Sequence, residues 1–437
     1  MRTGGATWRN WAGNQSMDPV RVEHPSSPEQ VADAVRRAAA AGLRVKAVGS
    51  GHSFTGIALT DGVLLDLRRL DRLVAVEGTR VTVEAGMPLH RLNAALAAHG
   101  LGLTNMGDVD RQTVAGAVST GTHGTGRASG GLAPQVVGLQ LVLADGSLVR
   151  CGPGEELFDH ARLGLGALGV LTRVELQAEP AFLLRADERP EPLDDVLDGF
   201  DALVEGHDHA ELYWFPHTDV ALVKRNDRVD GPARPLPRAR ALLEDEVLSN
   251  GVFGLTCRVG RRVPAAVPAL NRVASRALSA RTYVDAAPKV FTSPRRVRFR
   301  ETEWAVPRAV LPDLVRELRT LPERLGERIS FPVEVRAVPA DDVPLSTAHG
   351  RDTAYVAAHA FAGTPHARWF GAVAGLCADA GGRPHWGKEH DLTADDLRPR
   401  YPRFDEFVAL RDRLDPAGTF GNAYLDRVLG PVPLADG

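Results

Sequence analysis

The feature that most constrains the fold is a turn rich in glycine and serine, residues 47–54, which carries a histidine at its tip. It follows an alternating run, residues 43–46, of the kind found in strands. Gly49 and Gly51 allow the backbone to turn tightly and to present N–H groups to an anion, because a residue without Cβ adopts positive φ at little steric cost. His52 adds a nucleophilic nitrogen beside this candidate phosphate site. Two interpretations stay open: a bound nucleotide cofactor, and a tight β-turn that carries a half-exposed histidine.

The length of 437 residues indicates two domains, because a single hydrophobic core rarely serves so long a chain. A net charge of −3 provides no concentrated basic field, which argues against nucleic acid or an anionic membrane as a partner. Arginines alternate with other residues in the segment 295–300, and we interpret this run as the solvated face of a strand.

Cysteine usage and hydropathy bear on the location of the protein. Cys151, Cys257 and Cys377 are far apart in the sequence, which indicates neither a disulfide framework nor a thiolate metal site. Residues 1–19 lack the apolar segment of a secretory signal, and no run of about 18 apolar residues occurs. The sequence therefore predicts a cytoplasmic protein without a membrane span.

Periodicity and turn signals predict a mixture of helices and antiparallel strands. Ser27, Pro28 and Gln30 form the pattern of a helix start with a capping box. The pattern predicts helices at 29–41 and 88–98, strands at 43–48 and 63–67, and β-hairpins at 73–84 and 139–149. Hairpins among helices favour the α+β class over a purely parallel sheet.

Two glycine-rich segments suit a backbone that lies close to a ligand. Residues 105–126 combine glycine with serine and threonine; a flexible surface loop is the alternative, although Val114 and Val118 are unusual in a solvated linker. Residues 164–169 match the pattern G-x-G-x-x-G, yet a helix is predicted before them and a strand after them, the reverse of the dinucleotide-binding order. We interpret these glycines as close packing of a turn against a ligand or a neighbouring strand.

Two further segments contain residues that could carry chemistry. In a predicted strand at 332–337, Glu334 and Arg336 share one face, either as a structural ion pair or as the lining of a polar pocket. Residues 383–390 bring together a tryptophan, a lysine and two histidines, a composition that suits the wall of a polar pocket.

The remaining signals concern packing. Residues 229–240 are rich in proline and arginine and predict a mobile loop, whereas the turn-rich tail at 414–425 carries apolar residues that should pack onto a domain. A surface or packing role is favoured over metal binding for three neighbouring histidines, because their spacing fits no standard ligand set. They are His207, His209 and His217.

Taken together, these motifs resemble those of the vanillyl-alcohol-oxidase type of flavoprotein, and within it the sugar-1,4-lactone oxidases, the group that contains gulonolactone and arabinonolactone oxidases. The resemblance covers nearly the whole chain. It is carried, in the family's order, by residues 10–12, 48–53, 113–116 with 120–123, 333–336, 383–388 and 414–425.

The resemblance implies an α+β architecture of three parts. A PCMH-type FAD-binding domain of two α/β subdomains would occupy residues 1–180. A substrate (cap) domain with an antiparallel sheet flanked by helices would occupy residues 181–398, covering the reactive face of the flavin. Residues 399–437 would pack back on the FAD domain.

The resemblance also implies FAD as the cofactor, joined covalently to His52 through the 8α-methyl group of the isoalloxazine. The residues implied to surround the cofactor are Ala47, Val48, Gly49, Ser50, Gly51, His52, Ser53, Gly107, Asp108, Thr113, Gly116, Thr120, Gly121, Thr122, His123, Val170 and Lys388. The residues implied to contact the substrate are Asp108, Glu334, Arg336, His359 and Lys388.

The implied reaction is oxidation of a secondary alcohol beside a lactone carbonyl, with hydride transfer to flavin N5 and reduction of O2 to hydrogen peroxide. Because negative charge develops on the substrate oxygen and on the flavin, cations must lie near both. Lys388 and Arg336 are predicted to supply them, and Glu334 is predicted to orient or deprotonate the hydroxyl group. No metal and no nucleic acid are expected, and the protein is expected to be a monomer or a small homo-oligomer.

Three positions bear on the electron acceptor and the substrate. Dehydrogenases of the family are thought to block oxygen with an alanine where oxidases carry glycine, and Gly107 in that place favours an oxidase. Alditol oxidases of the same fold carry serine in place of Asp108 and threonine in place of Phe361, which favours a ring-closed lactone here. An alditol or other polyol oxidase, a dehydrogenase with another acceptor, and a nucleotide-binding protein without turnover are the alternatives.

Overall fold

The computed structural model describes residues 7–433, so the first six and last four residues, which the predicted domain bounds include, lie outside the described residues. Helices and antiparallel strands are mixed along the chain, which confirms the predicted α+β class. Within the described range no helix is both long and apolar enough to cross a bilayer.

A small parallel sheet carries the turn at residues 47–54. Its strands, in spatial order, are Arg21–Glu23, Val63–Asp66 and Val45–Val48. The helix Pro28–Ala40 shares a buried apolar cluster with these strands and lies against the five-stranded sheet described below, where Arg36 donates to the carbonyl of Gly146 at 3.0 Å. The predicted helix and both predicted strands are confirmed to within two residues at each end.

The predicted capping box is half correct. The Ser27 hydroxyl accepts a hydrogen bond from the N–H of Gln30, as expected of an N-cap. The carboxamide of Gln30 accepts from the N–H of Ser26, so the expected return bond to the N-cap backbone is wrong. The Gln30 side chain therefore bonds the backbone one residue before the N-cap, at Ser26 instead of Ser27.

A five-stranded antiparallel sheet follows. Its strands, in spatial order, are Leu148–Cys151, Val136–Val142, Val170–Gln177, Arg80–Glu84 and Leu73–Glu77. Both predicted hairpins are confirmed. The helices of this part are Leu89–Ala98, Val114–Thr120 and Glu156–Ala161. A helix precedes the glycines at 164–169 and a strand follows them, as predicted, and a Cβ on Gly169 would lie 2.7 Å from the carbonyl oxygen of Val142.

The middle of the chain forms an eight-stranded antiparallel sheet. Its strands, in spatial order, are Arg281–Ala286, Leu183–Pro192, Val220–Val229, His209–Trp214, Val333–Val338, Thr353–Phe361, Phe299–Pro307 and Arg383–Pro384. A buried apolar cluster joins this sheet to the helices Leu193–Asp198, Phe200–Gly206, Leu311–Leu325 and Ala367–Asp379. The strand predicted at 332–337 is Val333–Val338, at the centre of the sheet.

A group of helices lies outside this sheet. They are Arg238–Ala241, the π-helical Leu242–Val252, Phe253–Arg262, Val267–Arg276 and Ala287–Phe291. The segment 229–240, predicted as a mobile loop, ends in the first of these helices. Its mobility stays a prediction.

The C-terminal tail returns to the first part of the chain. Its helices are Ala394–Leu397, Phe404–Leu414 and Ala423–Leu429. Phe420 and Leu425 are buried in the same cluster as the first two sheets, and the ammonium of Lys46 donates to the carbonyl of Phe420 at 3.0 Å. The predicted packing of residues 414–425 is confirmed. Two short antiparallel ladders, Trp8–Arg9 with Ser16–Met17 and Leu101–Gly102 with Glu179–Pro180, complete the strands.

Candidate active site

A first cavity is lined mainly by residues of three segments, 46–53, 112–120 and 164–171, the second of which includes the helix Val114–Thr120. Glycine is required in this wall. A Cβ on Gly49 would lie 2.0 Å from the Thr113 hydroxyl oxygen, and Gly51 has a φ of +67°. The predicted cofactor residues that line this cavity are Ala47, Val48, Gly49, Ser50, Gly51, His52, Ser53, Thr113, Gly116, Thr120 and Val170.

The N-terminal segment holds the tip of the turn in place. Asn10 donates from its carboxamide nitrogen to the carbonyl of Ser53 at 2.9 Å, and Asn14 donates to the carbonyl of Phe54 at 2.7 Å. The Trp11 ring stacks on the His52 ring, with 5.7 Å between the ring centroids. The sequence motif at residues 10–12 thus positions His52.

A second cavity, of about 290 Å³, has a charged and aromatic wall that includes Arg295, Glu301, His385 and Lys388. The residues that line both cavities are His52, Ser53, Gln112 and Thr120. The two cavities therefore meet at His52, with a glycine cradle on one side and charged groups on the other.

Lys388 is the cation of this wall. Its ammonium pairs with the carboxylate of Glu301 and lies 3.8 Å from an oxygen of Glu303. Both glutamates project from the same face of the strand Phe299–Pro307, because side chains repeat every second residue. Burial acts to lower the pKa of Lys388, but the two carboxylates outweigh it and raise this pKa above its ordinary value. Lys388 is therefore a permanent cation at the cavity.

The neighbourhood of Lys388 is fixed by backbone pairing. The N–H of His385 donates to the carbonyl of Glu303 at 2.9 Å, and the N–H of Glu389 donates to that of Glu301 at 2.9 Å. The N–H of Phe54 donates to the carbonyl of Gly387 at 2.7 Å. The lysine segment is thus hydrogen-bonded both to the acidic strand and to the end of the His52 turn.

His52 is held in its neutral form. Burial, with a further contribution from the charge of Lys388, lowers the pKa of His52 to about 4. A neutral imidazole retains a nitrogen lone pair, so His52 can act as a nucleophile at neutral pH.

A second charged group surrounds Glu334 and Arg336 on the central strand of the large sheet. The strand register places Arg336 opposite Glu211 and Glu334 opposite Tyr213. The guanidinium of Arg336 pairs with Glu334 and donates to Glu211 at 3.0 Å, while the Tyr213 hydroxyl donates to Glu334 at 2.8 Å. Burial, more than any neighbour, raises the pKa of Glu334 above its ordinary value.

Asp108 joins this group to the second cavity. Its carboxylate lies 3.0 Å from the Nε of Arg295 and 3.7 Å from a guanidinium nitrogen of Arg336. Burial alone would raise the pKa of Asp108, but the two arginines hold it well below its usual range. Asp108 is therefore a half-buried, ionised carboxylate.

Two histidines contact the glutamates that pair with Lys388: His123 contacts Glu303, and His359 contacts Glu301. The Nε2 of His123 lies 3.2 Å from Glu303, its Nδ1 lies 2.9 Å from the carbonyl of Gly124, and its ring stacks on Tyr355. The register of the large sheet sets His359 opposite Glu301, with 3.5 Å between its Nε2 and the carboxylate.

The donor atoms of His123, Glu303 and His385 lie within 4.8 Å of one another, a spacing that a metal ion can bridge. Each group already has a polar partner, because Glu303 faces both His123 and Lys388 and the Nδ1 of His385 accepts from the N–H of Gly387. Burial lowers the pKa of His385 to about 4, so its ring is neutral.

Several predicted site residues are placed behind the cavity walls. Asp108 contacts the wall residue Arg295, and His359 contacts the wall residue Glu301. Glu334 pairs with Arg336, Arg336 approaches Asp108, and Asp108 pairs with the wall residue Arg295, so Glu334 and Arg336 are linked to the second cavity only through these contacts. Gly107, Gly121, Thr122 and His123 are absent from both cavity walls; Thr122 is hydrogen-bonded to Gln112, which lines both.

The interpretation of residues 295–300 as a solvated strand face is wrong. The strand begins only at Phe299, Arg295 lines the second cavity and pairs with Asp108, and Arg300 pairs with Glu389. Sequence alternation cannot distinguish a guanidinium that meets water from one that meets a carboxylate distant in the sequence.

Four residues of the site, Glu211, Tyr213, Glu301 and Glu303, were not predicted from the sequence. Glu301 and Glu303 carried a usable signal, since two acids at alternate positions of an apolar strand must find partners on a buried face. Glu211 and Tyr213 show the same alternation. Of the three neighbouring histidines, His207 bonds Asp227, His209 bonds the carbonyl of Thr125 and His217 bonds Glu323, which are packing and surface contacts as predicted.

The sequence matches two family models. The model described as D-arabinono-1,4-lactone oxidase matches residues 174–428, more than half of the chain, and the model described as FAD binding domain matches residues 19–152. The chain belongs to the D-arabinono-1,4-lactone oxidase family. The predicted resemblance is thereby confirmed, and the protein is an FAD-dependent oxidoreductase whose FAD-binding region contains the His52 turn.

Similar proteins support the assignment over the whole length. The chain is 44% identical over 426 residues to the L-gulono-1,4-lactone dehydrogenase of Mycobacterium tuberculosis, covering 97% of this chain and 99% of that protein. It is 34% identical over 436 residues to the L-gulonolactone oxidase of Bos taurus, covering 97% and 98%. The crystal structure of cholesterol oxidase from Brevibacterium sterolicum has the same fold, with a TM-score of 0.78 at 19% identity over 97% of this chain and 96% of that one.

Proposed function

We propose that this oxidoreductase converts a sugar-1,4-lactone by oxidation of a carbinol carbon, with FAD bound across the two cavities and O2 as electron acceptor. The observation that carries the proposal is the meeting of the two cavities at His52, where a glycine cradle adjoins the cation Lys388. When bound, FAD supplies a hydride acceptor at N5 and returns the electrons to O2, which leaves as hydrogen peroxide.

The first cavity fits FAD. Its wall is backbone at Gly49 and Gly51, where a side chain would collide with Thr113 or with Trp8, so N–H groups can approach a pyrophosphate closely. His52 is the proposed attachment residue for a covalent 8α-histidyl link. Its ring is neutral and is held by the stacked Trp11, which orients the nucleophilic nitrogen.

The proposed catalytic residues are Lys388, Arg336 and Glu334. Lys388 stabilises negative charge that develops at the junction of the cavities, because Glu301 and Glu303 keep it protonated and fixed. Arg336 and Glu334 lie behind the wall of the second cavity, so they are proposed to act through Asp108. Arg336 supplies the second positive charge beside the Asp108 carboxylate, and Glu334, whose pKa is raised by burial, is the proposed final acceptor of the hydroxyl proton. Tyr213 and Glu211 hold these two side chains in register on the neighbouring strand.

The proposed substrate contacts favour a lactone over a polyol. Asp108 is ionised and fixed by Arg295, so it accepts hydrogen bonds from hydroxyl groups of a ring at a defined position. His359 is fixed by Glu301. Phe361 packs in an aromatic cluster with the cavity residues Phe54 and Phe299 and offers no polar contact to an open chain.

The acceptor and the organisation of the chain are part of the same proposal. Gly107 carries no methyl group, and a Cβ there would lie 3.1 Å from the carbonyl oxygen of His123 and 3.2 Å from the Thr122 methyl. By the glycine–alanine distinction between oxidases and dehydrogenases of the family, this glycine supports O2 as acceptor. We keep the bounds 1–180 and 399–437 for the FAD domain and 181–398 for the substrate domain. They are supported by two apolar clusters, one joining Leu176 to Leu425 and one joining Leu212 to Trp369; the first also takes in Val343, Leu345, Trp386 and Leu397 of the segment 181–398.

A single screen tests the function. Purified holoprotein is mixed with a panel of aldonolactones and alditols, and flavin bleaching without oxygen is recorded beside peroxide release in air. We expect bleaching and peroxide with at least one 1,4-lactone and with no alditol. Bleaching by alditols alone would contradict the lactone assignment, whereas bleaching without peroxide would contradict O2 as acceptor.

A further inference from the structure

A stripe of large aliphatic side chains lies exposed along the outer helices at 242–262. Leu248, Val252, Leu255 and Val259 are 47%, 46%, 57% and 39% exposed. Their spacing of four, three and four residues places them on one face of the helix. We call these four residues the aliphatic stripe. Exposed apolar surface of this extent on one face marks an interaction site rather than ordinary surface.

The register of the helix is fixed from its other side. Asn250, Gly254, Cys257 and Gly260 are buried and follow the opposite face. Asn250 accepts from the N–H of Arg296 at 2.9 Å and donates to the carbonyl of Pro294 at 3.1 Å. The helix therefore cannot rotate to bury the stripe without losing these bonds.

Four exposed arginines lie on the helix of the stripe and on the following helix, Val267–Arg276. In the part of the chain that the structure describes, no ion pair joins an acidic side chain to Arg258, Arg262, Arg272 or Arg276, all of which are exposed. Glutamates nearby are already paired, as in Glu246 with Arg296. The surface around the stripe is therefore both apolar and positively charged.

We propose that the aliphatic stripe docks on the surface of an anionic lipid bilayer, with the helix in the plane of the interface. Apolar side chains would enter the acyl boundary, while the arginines extend to the lipid headgroups. The overall charge of −3 does not oppose this contact, because charges are screened beyond about 10 Å and only the local field acts.

A second copy of the chain fits this surface less well. In a symmetric dimer the same patch meets itself, so the unpaired arginines of both copies would be brought together. An anionic bilayer neutralises them instead. Docking would set lipid one helix diameter, roughly 10 Å, from the segment 294–296, because that segment bonds the opposite face of the same helix and its residues line the second cavity.

Vesicle flotation of the full-length holoprotein tests the proposal. Vesicles of phosphatidylcholine are compared with vesicles of phosphatidylcholine and phosphatidylglycerol, at low and at high salt. We expect flotation with the anionic vesicles only, and less of it at high salt. Equal binding to both vesicle types, or no binding to either, would overturn the proposal.

Three variants refine the test. Arg258→Gln with Arg262→Gln should lower partitioning about thirtyfold at low salt, since each arginine near the surface contributes about fivefold. Leu255→Ser with Val259→Ser should abolish flotation, whereas Val74→Ser, at an exposed valine on the other part of the chain, should leave it unchanged. Retained lactone turnover in solution reports that the variants fold. A lipid-free dimer that Leu255→Ser dissociates, with no flotation of the parent, would identify a second copy as the occupant and refute the bilayer.

Discussion

The Nε of Arg295 lies 3.0 Å from a carboxylate oxygen of Asp108, across 187 positions of sequence. This pair ties the glycine-rich segment at 105–126 to the segment before the strand Phe299–Pro307. It places a fixed anion and a fixed cation side by side at the second cavity, and Arg336 approaches the same carboxylate at 3.7 Å. The pair therefore connects the wall of the second cavity, through Arg295, with the charged group around Glu334, through Asp108 and Arg336.

Replacing Arg295 should impair substrate recognition. In Arg295→Ala the half-buried carboxylate of Asp108 loses its nearest partner, and leaving a charged group partly unpaired costs about 1–3 kcal/mol. We expect kcat/KM for the best lactone to fall about tenfold to a hundredfold, mostly through KM, measured by steady-state kinetics. Arg189→Ala removes an exposed arginine paired with Asp187 and is the matched control. Equal kinetics of the Arg295 variant and the parent would exclude the pair from recognition.

Local sequence signals account for most of the fold that could be predicted. Asp145–Gly146 is a strong hairpin signal between two apolar strands, and Ser27 caps a helix through a bond to a residue three positions away. Glu334 and Arg336 were placed on one face for the same reason, since strand periodicity is a property of neighbouring residues.

Which charged side chains of the site pair with each other depends on how distant strands and loops align, and local sequence patterns do not determine that alignment. Glu211 contacts Arg336 because their two strands, 125 positions apart in the sequence, pair in one particular register. Arg295 contacts Asp108 because two loops that are distant in the sequence lie next to each other in the fold. Read locally, Arg295 belongs to a basic alternating run, and that interpretation was wrong. A charged side chain that is buried must pair with an opposite charge, whereas an exposed one can remain solvated by water. Which of the two applies to Arg295 is known only from the folded structure.

Covalent attachment of the flavin should be insensitive to mild acid. The pKa of His52 is lowered to about 4 by burial and by Lys388, so the ring stays neutral well below the ordinary histidine range. Apoprotein supplied with FAD should form the link equally well at about pH 7.5 and about pH 5.5, and lose this ability only near the lowered pKa. The fraction of flavin retained on acid-precipitated chain measures the link. His52→Ala should retain none, and a large drop in the parent between the two pH values would contradict the lowered pKa.

Removing the cation at the junction should slow reduction of the flavin without releasing it. In Lys388→Met, Glu301 and Glu303 lose their counter-charge and the cavity loses the group that stabilises developing negative charge. We expect the anaerobic reduction rate to fall about a hundredfold to a thousandfold, the usual effect of removing one stabilising donor. Stopped-flow absorbance measures the rate, and Lys289→Met, at an exposed lysine paired with Asp285, is the control. An unchanged rate would remove Lys388 from the chemistry.

A methyl group at Gly107 should separate oxygen reactivity from substrate oxidation. A Cβ at this position lies 3.1 Å from the carbonyl oxygen of His123 and 3.2 Å from the Thr122 methyl, so alanine fits only if these neighbours give by a few tenths of an ångström. We expect Gly107→Ala to keep lactone-dependent reduction of an artificial dye while peroxide release falls.

Peroxide release and dye reduction in Gly107→Ala are measured on the same preparation, so that loss of protein affects both signals equally. Gly371→Ala is the matched control, because a Cβ there meets nothing within 4 Å and the residue lies inside the helix Ala367–Asp379. Peroxide release that persists in Gly107→Ala at the parent's rate would show that oxygen reaches the flavin by a route this glycine does not govern.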